Sequence, residues 1–586
     1  MAMQMFIQIG LSKTGYDSYL SSPLLLVFNW LPIFLTMLFM FFATNRVWGG
    51  YVPTAALLLL GVAVDRYKIY FLDEPFRPID IILTSEAFNI TQNYDFEINK
   101  KLVCMIAVFA VVSIILCRYV KSDKLKIKNR IIGAAVMCVL FGVSYKFIYS
   151  NGDLYDNVYV SENTYQDTII EQEKGFLYSF LVNTKSFVYD KPKGYSEKKV
   201  DEILSEYQTE TEQKTPNVIA IMSEAFFDPQ AADNIRFYEN PLKRYNKLKK
   251  DAYYGSIIVP GFAGSTASTE FEFLTGINIS LVDDSMPLMY KTHVKNNTYG
   301  LPEYFKNKGY TTEAIHLGHK WFYNRNNVYK RFGFDSFTAL EDLEETPDMI
   351  HYYASDKETT EYIKNAYNNY LESGNDNGYF NFTVTIQNHG PYDDSTPERD
   401  RILIRPDGIS DELYNVLDNY MAGLRDAADL LCDLKEYIDD IDVPTVIVFF
   451  GDHLPYFDAD FNCYRAIGYD VESDTPETMI RKYSTPYVMC SNQAAKNLVV
   501  ENGGEVLNGN GGILSSNFLA TKLFDYMGVK PDGFFGFVKD MREQAGVIAS
   551  TFMMDGDFII PKDDGNVSEW IEKYRMLQYH NIKINE

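Results

Sequence analysis

Apolar and polar residues are unevenly spread along this chain. Four long apolar stretches, at about residues 23–43, 47–64, 102–117 and 131–148, fill most of the first 150 positions. The first is long enough by itself to cross the hydrocarbon core of a bilayer, while the second and third draw on flanking aromatic residues to complete a span. One such stretch alone also fits a buried core helix; four in succession predict a membrane-spanning region. Arg118, Lys121, Lys124, Lys126, Lys128 and Arg130 crowd the link between the third and fourth stretches. Basic links stay on the cytoplasmic side, so the N-terminus, the loop Glu74-Pro75-Phe76-Arg77-Pro78 and everything after about residue 150 are expected outside. Residues 1–11 are too short to cross unaided and represent part of a fifth span at most; no cleavable signal peptide is evident.

Residues 151–214 read as a polar, Tyr-rich linker with one amphipathic stretch, 176–188, suited either to a membrane surface or to a solvated linker. From residue 215 the pattern changes. Short apolar runs at 218–222, 312–315, 382–386 and 446–450 alternate with helical patterns, which predicts an α/β domain around a largely parallel sheet. The expected organisation is a multi-span domain over 1–150, the linker over 151–214, a catalytic domain over 215–545 and a tail over 546–586. The tail carries a strand-like Phe558-Ile559-Ile560, and the flanking Asp555, Asp557, Asp563 and Asp564 are expected as solvated loop positions.

Ligand sites in open α/β sheets gather beyond the carboxyl ends of the strands. Each of the four runs ends on chemically useful residues: Ser223-Glu224, His316, Gln387-Asn388-His389 and Gly451-Asp452-His453. A single histidine after a strand is usually a structural hydrogen-bonder, but four such endings meet at one sheet edge. Thr266 joins them where the small-residue turn Gly264-Ser265 enters a helix. The free N–H groups of a helix start favour an alkoxide and the phosphate it attacks. Glu224, Asp452 and His453, with the Thr266 oxygen, suit a divalent ion such as Mn²⁺, Mg²⁺ or Zn²⁺. Coordination lowers the pKa of a hydroxyl, which makes Thr266 a candidate nucleophile for a two-step transfer. Arg325 offers a bidentate phosphate clamp or, alternatively, a surface ion pair. His389 offers a proton to a departing alkoxide or accepts one from an incoming hydroxyl.

Charge narrows the partners. With 54 Lys and Arg against 79 Asp and Glu, the 586-residue chain carries a formal charge of −25, which argues against nucleic acid. Its six Cys are widely spaced without a CxxC pair, as expected of buried thiols rather than of a disulfide framework or a zinc–thiolate site.

Taken together, Pro216-Asn217-Val218-Ile219 through Ser223-Glu224, the segment 264–271, Tyr323-Asn324-Arg325-Asn326, Gln387-Asn388-His389-Gly390-Pro391-Tyr392, Phe450-Gly451-Asp452-His453 and Ser484-Thr485-Pro486-Tyr487 resemble the lipoteichoic acid synthase, or phosphoglycerol transferase, family. That family lies in the sulfatase-like branch of the alkaline phosphatase superfamily. The resemblance covers nearly the whole chain. It implies one Mn²⁺-type site from Glu224, Thr266, Asp452 and His453, with Thr266 as nucleophile, and a glycerol-phosphate pocket lined by His316, Arg325 and His389. It also implies phosphatidylglycerol as donor, diacylglycerol as product, and a surface glycolipid, polymer or glycan as acceptor. Two positions depart from the family pattern: Tyr323 stands where Trp is frequent, and Gly318 where Asp is frequent. Both concern substrate, with Tyr323 expected to contact it and the nearby His319 and Trp321 as stand-ins.

Two other readings are carried forward. One is a phosphoethanolamine transferase, which also uses a threonine and a membrane anchor. The other is a membrane-anchored binding protein without activity, which the presence of Thr266, Asp452 and His453 disfavours. A sulfate-ester hydrolase is set aside on the expectation that no Cys- or Ser-x-Pro-x-Arg segment supplies its modified nucleophile.

Overall fold

The computed structural model describes residues 18, 21–72, 75–83, 100–160, 167–184, 189, 191–208, 213–282, 289–294, 297–458, 460–561, 565 and 567–583. Residues 1–11, Glu74, Asp563 and Asp564 lie outside them. The chain divides into two compact units, Met1–Val188 and Tyr189–Glu586.

Among the described residues of the first unit, four helices are long and apolar enough to cross a membrane. They run Pro23–Thr44, Val47–Leu72, Lys100–Tyr119 and Ile127–Ser144. The second extends well past the apolar run that announces it, because the polar residues that follow are satisfied in place. Asp65 accepts the Phe76 amide at 2.8 Å, and Lys68 pairs with Asp80 at 3.0 Å. Val108, Val111, Ile114, Ile131 and Val139 stand exposed on the third and fourth helices, as suits helices facing lipid. The amphipathic stretch forms a helix over Phe176–Val182. It is not a solvated linker: Tyr178 and Val182 pack with Leu25, Phe28 and Tyr149, and the Tyr178 amide donates to Asn29.

The second unit is built on an eight-stranded sheet. In chain order the strands are β1 (Asn217–Ser223), β2 (Tyr253–Ile258), β3 (Thr311–His316), β4 (Ser336–Ala339), β5 (Tyr379–Val384), β6 (Thr445–Gly451), β7 (Ser484–Ser491) and β8 (Gly509–Ser515). Their spatial order is β8-β2-β7-β6-β1-β5-β3-β4. All neighbours are parallel except at β7, which runs against both β6 and β2. A mostly parallel sheet has to be covered on both faces, and every residue of β1, β5 and β6 is buried. Ile219, Ile221, Ile447 and Phe449 pack with the helices Asp356–Glu372 and Asp411–Asp439 on one side. On the other, Phe273 of the helix Thr266–Thr275 stacks against Phe382 and Phe450.

Strand register decides where the chemistry ends up. Ser223 pairs with Gly451, Met222 with Val384, and Ile315 with Thr383. The ends of β1, β3, β5 and β6 therefore finish level, and the residues that follow them share one edge. β5 begins and ends earlier than its apolar run, which places Thr385–His389 in the loop beyond it. The described residues from Gly546 onward are built into this unit as well. They form a small sheet of Val547–Ile548, Met553–Asp555 and Phe558–Ile560 and a helix, Ser568–Lys583. From that helix Gln578 accepts the Asn278 amide at 2.7 Å and Tyr574 donates to the Gly276 carbonyl.

Candidate active site

Glu224, Asp452 and His453 meet at the level edge. One donor atom from each lies within 4.8 Å of the others, and all three side chains are buried. The backbone fixes them. The Glu224 amide donates to the Thr385 hydroxyl at 3.0 Å, and the Ala225 and His453 amides both donate to Asp452 Oδ1 at 2.8 Å. That leaves Asp452 Oδ2 buried without a hydrogen-bond partner among the described residues. The His453 tautomer follows from its neighbours. Nδ1 lies 2.9 Å from the Leu454 carbonyl, which can only accept, so Nδ1 carries the proton and Nε2 presents a lone pair. Nε2 lies 3.2 Å from Asp452 Oδ2, 3.5 Å from Glu224 Oε1 and 3.3 Å from Thr266 Oγ1. Burial and the Asp452 carboxylate push Glu224 up to about 8, against the pull of His453 and Arg325. An orphaned carboxylate oxygen, a second carboxylate and a bare imidazole nitrogen converging on one buried point are a donor set that fits a divalent cation.

Thr266 opens a helix whose ten residues are all buried. Thr269, one turn on, donates to the Asp452 carbonyl at 2.8 Å and ties the helix start to the Asp452-His453 loop. Ala225 (φ 50°), Ala263 (φ 56°), Ser265 (φ 69°), Tyr323 (φ 55°) and Asn324 (φ 62°) all adopt the left-handed region. Such residues cost about 1–3 kcal/mol each and persist where the surroundings over-determine them. Here they turn the chain sharply just before Thr266 and Arg325 and just after Glu224.

Arg325 is no surface ion pair. It is 1% exposed and paired with the equally buried Glu270 through Nη2–Oε2 at 2.9 Å and Nε–Oε2 at 3.2 Å. Tyr290 and Tyr329 donate to the other Glu270 oxygen at 2.7 and 2.6 Å. His316 Nδ1 donates to the Val384 carbonyl at 3.0 Å, so its Nε2 accepts from Arg325 Nη1 at 3.1 Å. Burial and the Arg325 charge hold His316 well below its ordinary pKa, hence neutral. The Nε–Nη2 edge of the guanidinium is thus given to Glu270, and Nη1 to His316. Glu270 is the residue that sequence reading missed; it shares its helix with a second acid, Glu272, and with Thr and Ser residues, and no local signal sets it apart.

The two departures resolve differently. The Tyr323 ring lies 5.2 Å from the Arg325 guanidinium. At Gly318 a Cβ would fall 2.5 Å from His316 Nε2, so this arrangement has no room for an aspartate there. His319 and Trp321 stack on each other at 5.1 Å, and His319 is held by Glu341. His389 Nδ1 donates to the Gly390 carbonyl at 2.6 Å, and burial holds its pKa below the ordinary histidine value. A Ser-x-Pro-x-Arg segment does occur, at Ser395-Thr396-Pro397-Glu398-Arg399, contrary to expectation. Ser395 is exposed, however, with its amide turned to Asp393, and the helix start beside the donor cluster is Thr266.

A family model described as Sulfatase matches residues 216–529, more than half of the chain. The chain belongs to the sulfatase family. Its fold is accordingly that of the alkaline phosphatase superfamily, and the mostly parallel sheet and the placement of the site beyond its strand ends agree with it. This sulfatase-family chain is 27% identical over 557 residues to a Rhizobium meliloti protein named for cyclic beta-1,2-glucan modification, covering 90% of the chain and 82% of that protein. It is 26% identical over 209 residues to a Staphylococcus saprophyticus lipoteichoic acid synthase, covering 34% and 29%. Among solved structures it resembles the Streptococcus pyogenes phosphoglycerol transferase GacH in complex with sn-glycerol-1-phosphate. The TM-score is 0.54 at 22% identity, with 68% of this chain and 96% of that chain covered. The kinship supports a phosphotransferase of this superfamily.

Proposed function

We propose that this protein is a membrane-anchored phosphoglycerol transferase, which moves glycerol phosphate from phosphatidylglycerol to a surface glycan, glycolipid or polymer. The observation that carries the reading is the setting of Thr266 Oγ1, 3.3 Å from His453 Nε2 at a helix start beside Glu224 and Asp452. In the first half-reaction Thr266 Oγ1 attacks the headgroup phosphorus, its proton passing through solvent to His389 Nε2, and the bond from phosphorus to the diacylglycerol oxygen breaks. His389 is the candidate to protonate that oxygen. In the second, an acceptor hydroxyl attacks the phospho-threonine, its proton passes to His389, and Thr266 regains a proton. Arg325, held in shape by Glu270, and neutral His316 position the phosphate and the glycerol hydroxyls. Glu224, Asp452, His453 and the Thr266 oxygen would hold a divalent cation, Mn²⁺ above Mg²⁺ or Zn²⁺, which supplies charge neutralisation and acidifies a hydroxyl. A membrane anchor of several helices, with the catalytic unit on the outer face, would keep enzyme and lipid donor at high effective concentration. The relative named for glucan modification, which matches most of the chain, favours a glycan among the acceptors.

The test is diacylglycerol release by the full-length protein with Mn²⁺, offered phosphatidylglycerol or phosphatidylethanolamine, with Thr266→Ala as control. Release from phosphatidylglycerol alone, lowered at least about 1,000-fold in the variant, is expected. Release from phosphatidylethanolamine alone, or full activity in the variant, overturns the reading.

A further inference from the structure

A cavity adjoins the site at His389. It has a volume of about 250 Å³ and lies between the loop after β5 and the helix Asp411–Asp439. His389 stands in its wall, while Thr266, His316, Tyr323 and Arg325 do not. Asn388, also in the wall, is 4% exposed, and its Nδ2 has no hydrogen-bond partner among the described residues. A buried amide donor left open is costly unless something completes it. The fold makes room for this group: a Cβ at Gly423 would fall 2.1 Å from Asn388 Oδ1. A glycine inside a 29-residue helix costs about 1 kcal/mol against alanine, and here the missing side chain is what seats Asn388.

The chemistry of the wall selects the occupant. Both arginines face a carboxylate, Arg425 with Asp426 at 3.4 Å and Arg399 with Asp418 at 2.9 Å, and His351 lies 3.5 Å from Asp393. A polyanion would meet as much repulsion as attraction. A neutral polyol finds donors and acceptors of both kinds. The Tyr392 ring, fixed against Tyr420 at 5.2 Å and Phe457 at 5.8 Å, adds a flat apolar face of the sort on which the C–H face of a sugar ring rests. Pockets for drug-sized ligands run to about 300–1,000 Å³, so this cavity suits a single ring.

Resting on the transferase reading above, we propose that this cavity is the acceptor subsite and takes one uncharged hexose unit of a glycan, with a hydroxyl directed at His389. Binding is separable from turnover. The full-length Thr266→Ala protein, titrated with a linear gluco-tetrasaccharide, should bind it, and adding Asn388→Ala or Arg425→Ala should weaken binding about tenfold, the worth of one good hydrogen bond. Arg425 is partly exposed, so its variant guards against misfolding at Asn388. With Thr266 intact, the same changes should raise the KM for the tetrasaccharide about tenfold and leave that for phosphatidylglycerol within about twofold. Equal binding by parent and variants, no binding at all, or preferential binding of a glycerol-phosphate oligomer would each overturn the subsite. Tetrasaccharide binding that the variants weaken, in a protein that releases no diacylglycerol from phosphatidylglycerol, would keep the subsite and discard the donor.

Discussion

Asp356 is an unusual residue in the second unit. It is 1% exposed and neither carboxylate oxygen has a hydrogen-bond partner among the described residues, while its amide is held by Gln387 at 2.6 Å. Burial, with the Asp426 charge added, pushes its pKa well above the ordinary value. A carboxyl whose folded pKa exceeds its unfolded value of about 3.9 stabilises the fold fully below that value and loses the contribution as pH rises through the folded pKa. Asp356→Asn keeps the shape and removes the titration. Its melting temperature should match the parent near pH 4 and exceed it at pH 8, with the gap widening between; parallel curves would show that Asp356 is not buried as an acid. At this scale the sequence is legible where a reactive group follows a strand or opens a helix, as with Glu224, Thr266, His389, Asp452 and His453. Asp356 and Glu270 are opaque because each sits in a helix, where nothing local separates a buried acid from a solvated one. Arg325 shows the same limit: whether it is a clamp or a surface pair depends on Glu270, 55 residues away.

The helix Thr266–Thr275 is the element on which the site turns. Its first residue is the candidate nucleophile, its fourth anchors the Asp452 loop, its fifth, Glu270, holds Arg325, and its eighth, Phe273, packs on the sheet. Removing one partner of a buried pair costs about 3–5 kcal/mol because the other charge is stranded. Glu270→Ala should show a loss of that size in denaturant unfolding, and Glu270→Gln a smaller one, since the amide oxygen still accepts. A loss under about 1 kcal/mol would mean that Arg325 finds another partner. Element boundaries were less legible than element types. The second membrane helix outruns its apolar stretch because Asp65 and Lys68 are satisfied by the following loop. β5 begins before its apolar run because Asn381 is hydrogen-bonded within the strand by Thr383 at 2.8 Å. The parallel sheet itself was legible from alternation alone.

Across the whole molecule, a cation held by Glu224, Asp452 and His453 would stabilise the fold by mass action: a ligand at 100 times its Kd adds about 2.7 kcal/mol. Adding Mn²⁺ to chelator-treated protein should therefore raise the melting temperature of the unit Tyr189–Glu586 by several degrees, and Asp452→Asn should abolish the rise. No rise in the parent would remove the case for a cation held by this trio. The strand order carries one more consequence. β1 is the first strand in the sequence, yet its two neighbours, β5 and β6, come late, and the Ala225 amide meets Asp452 from 227 residues away. Contacts so distant along the chain form slowly and late. A nascent chain ending before β6, at residue 444 for instance, holds the glutamate and the threonine but neither Asp452 nor His453. Such a chain should take up no Mn²⁺ in equilibrium dialysis. A growing chain would thus carry its candidate nucleophile long before the two residues proposed to arm it.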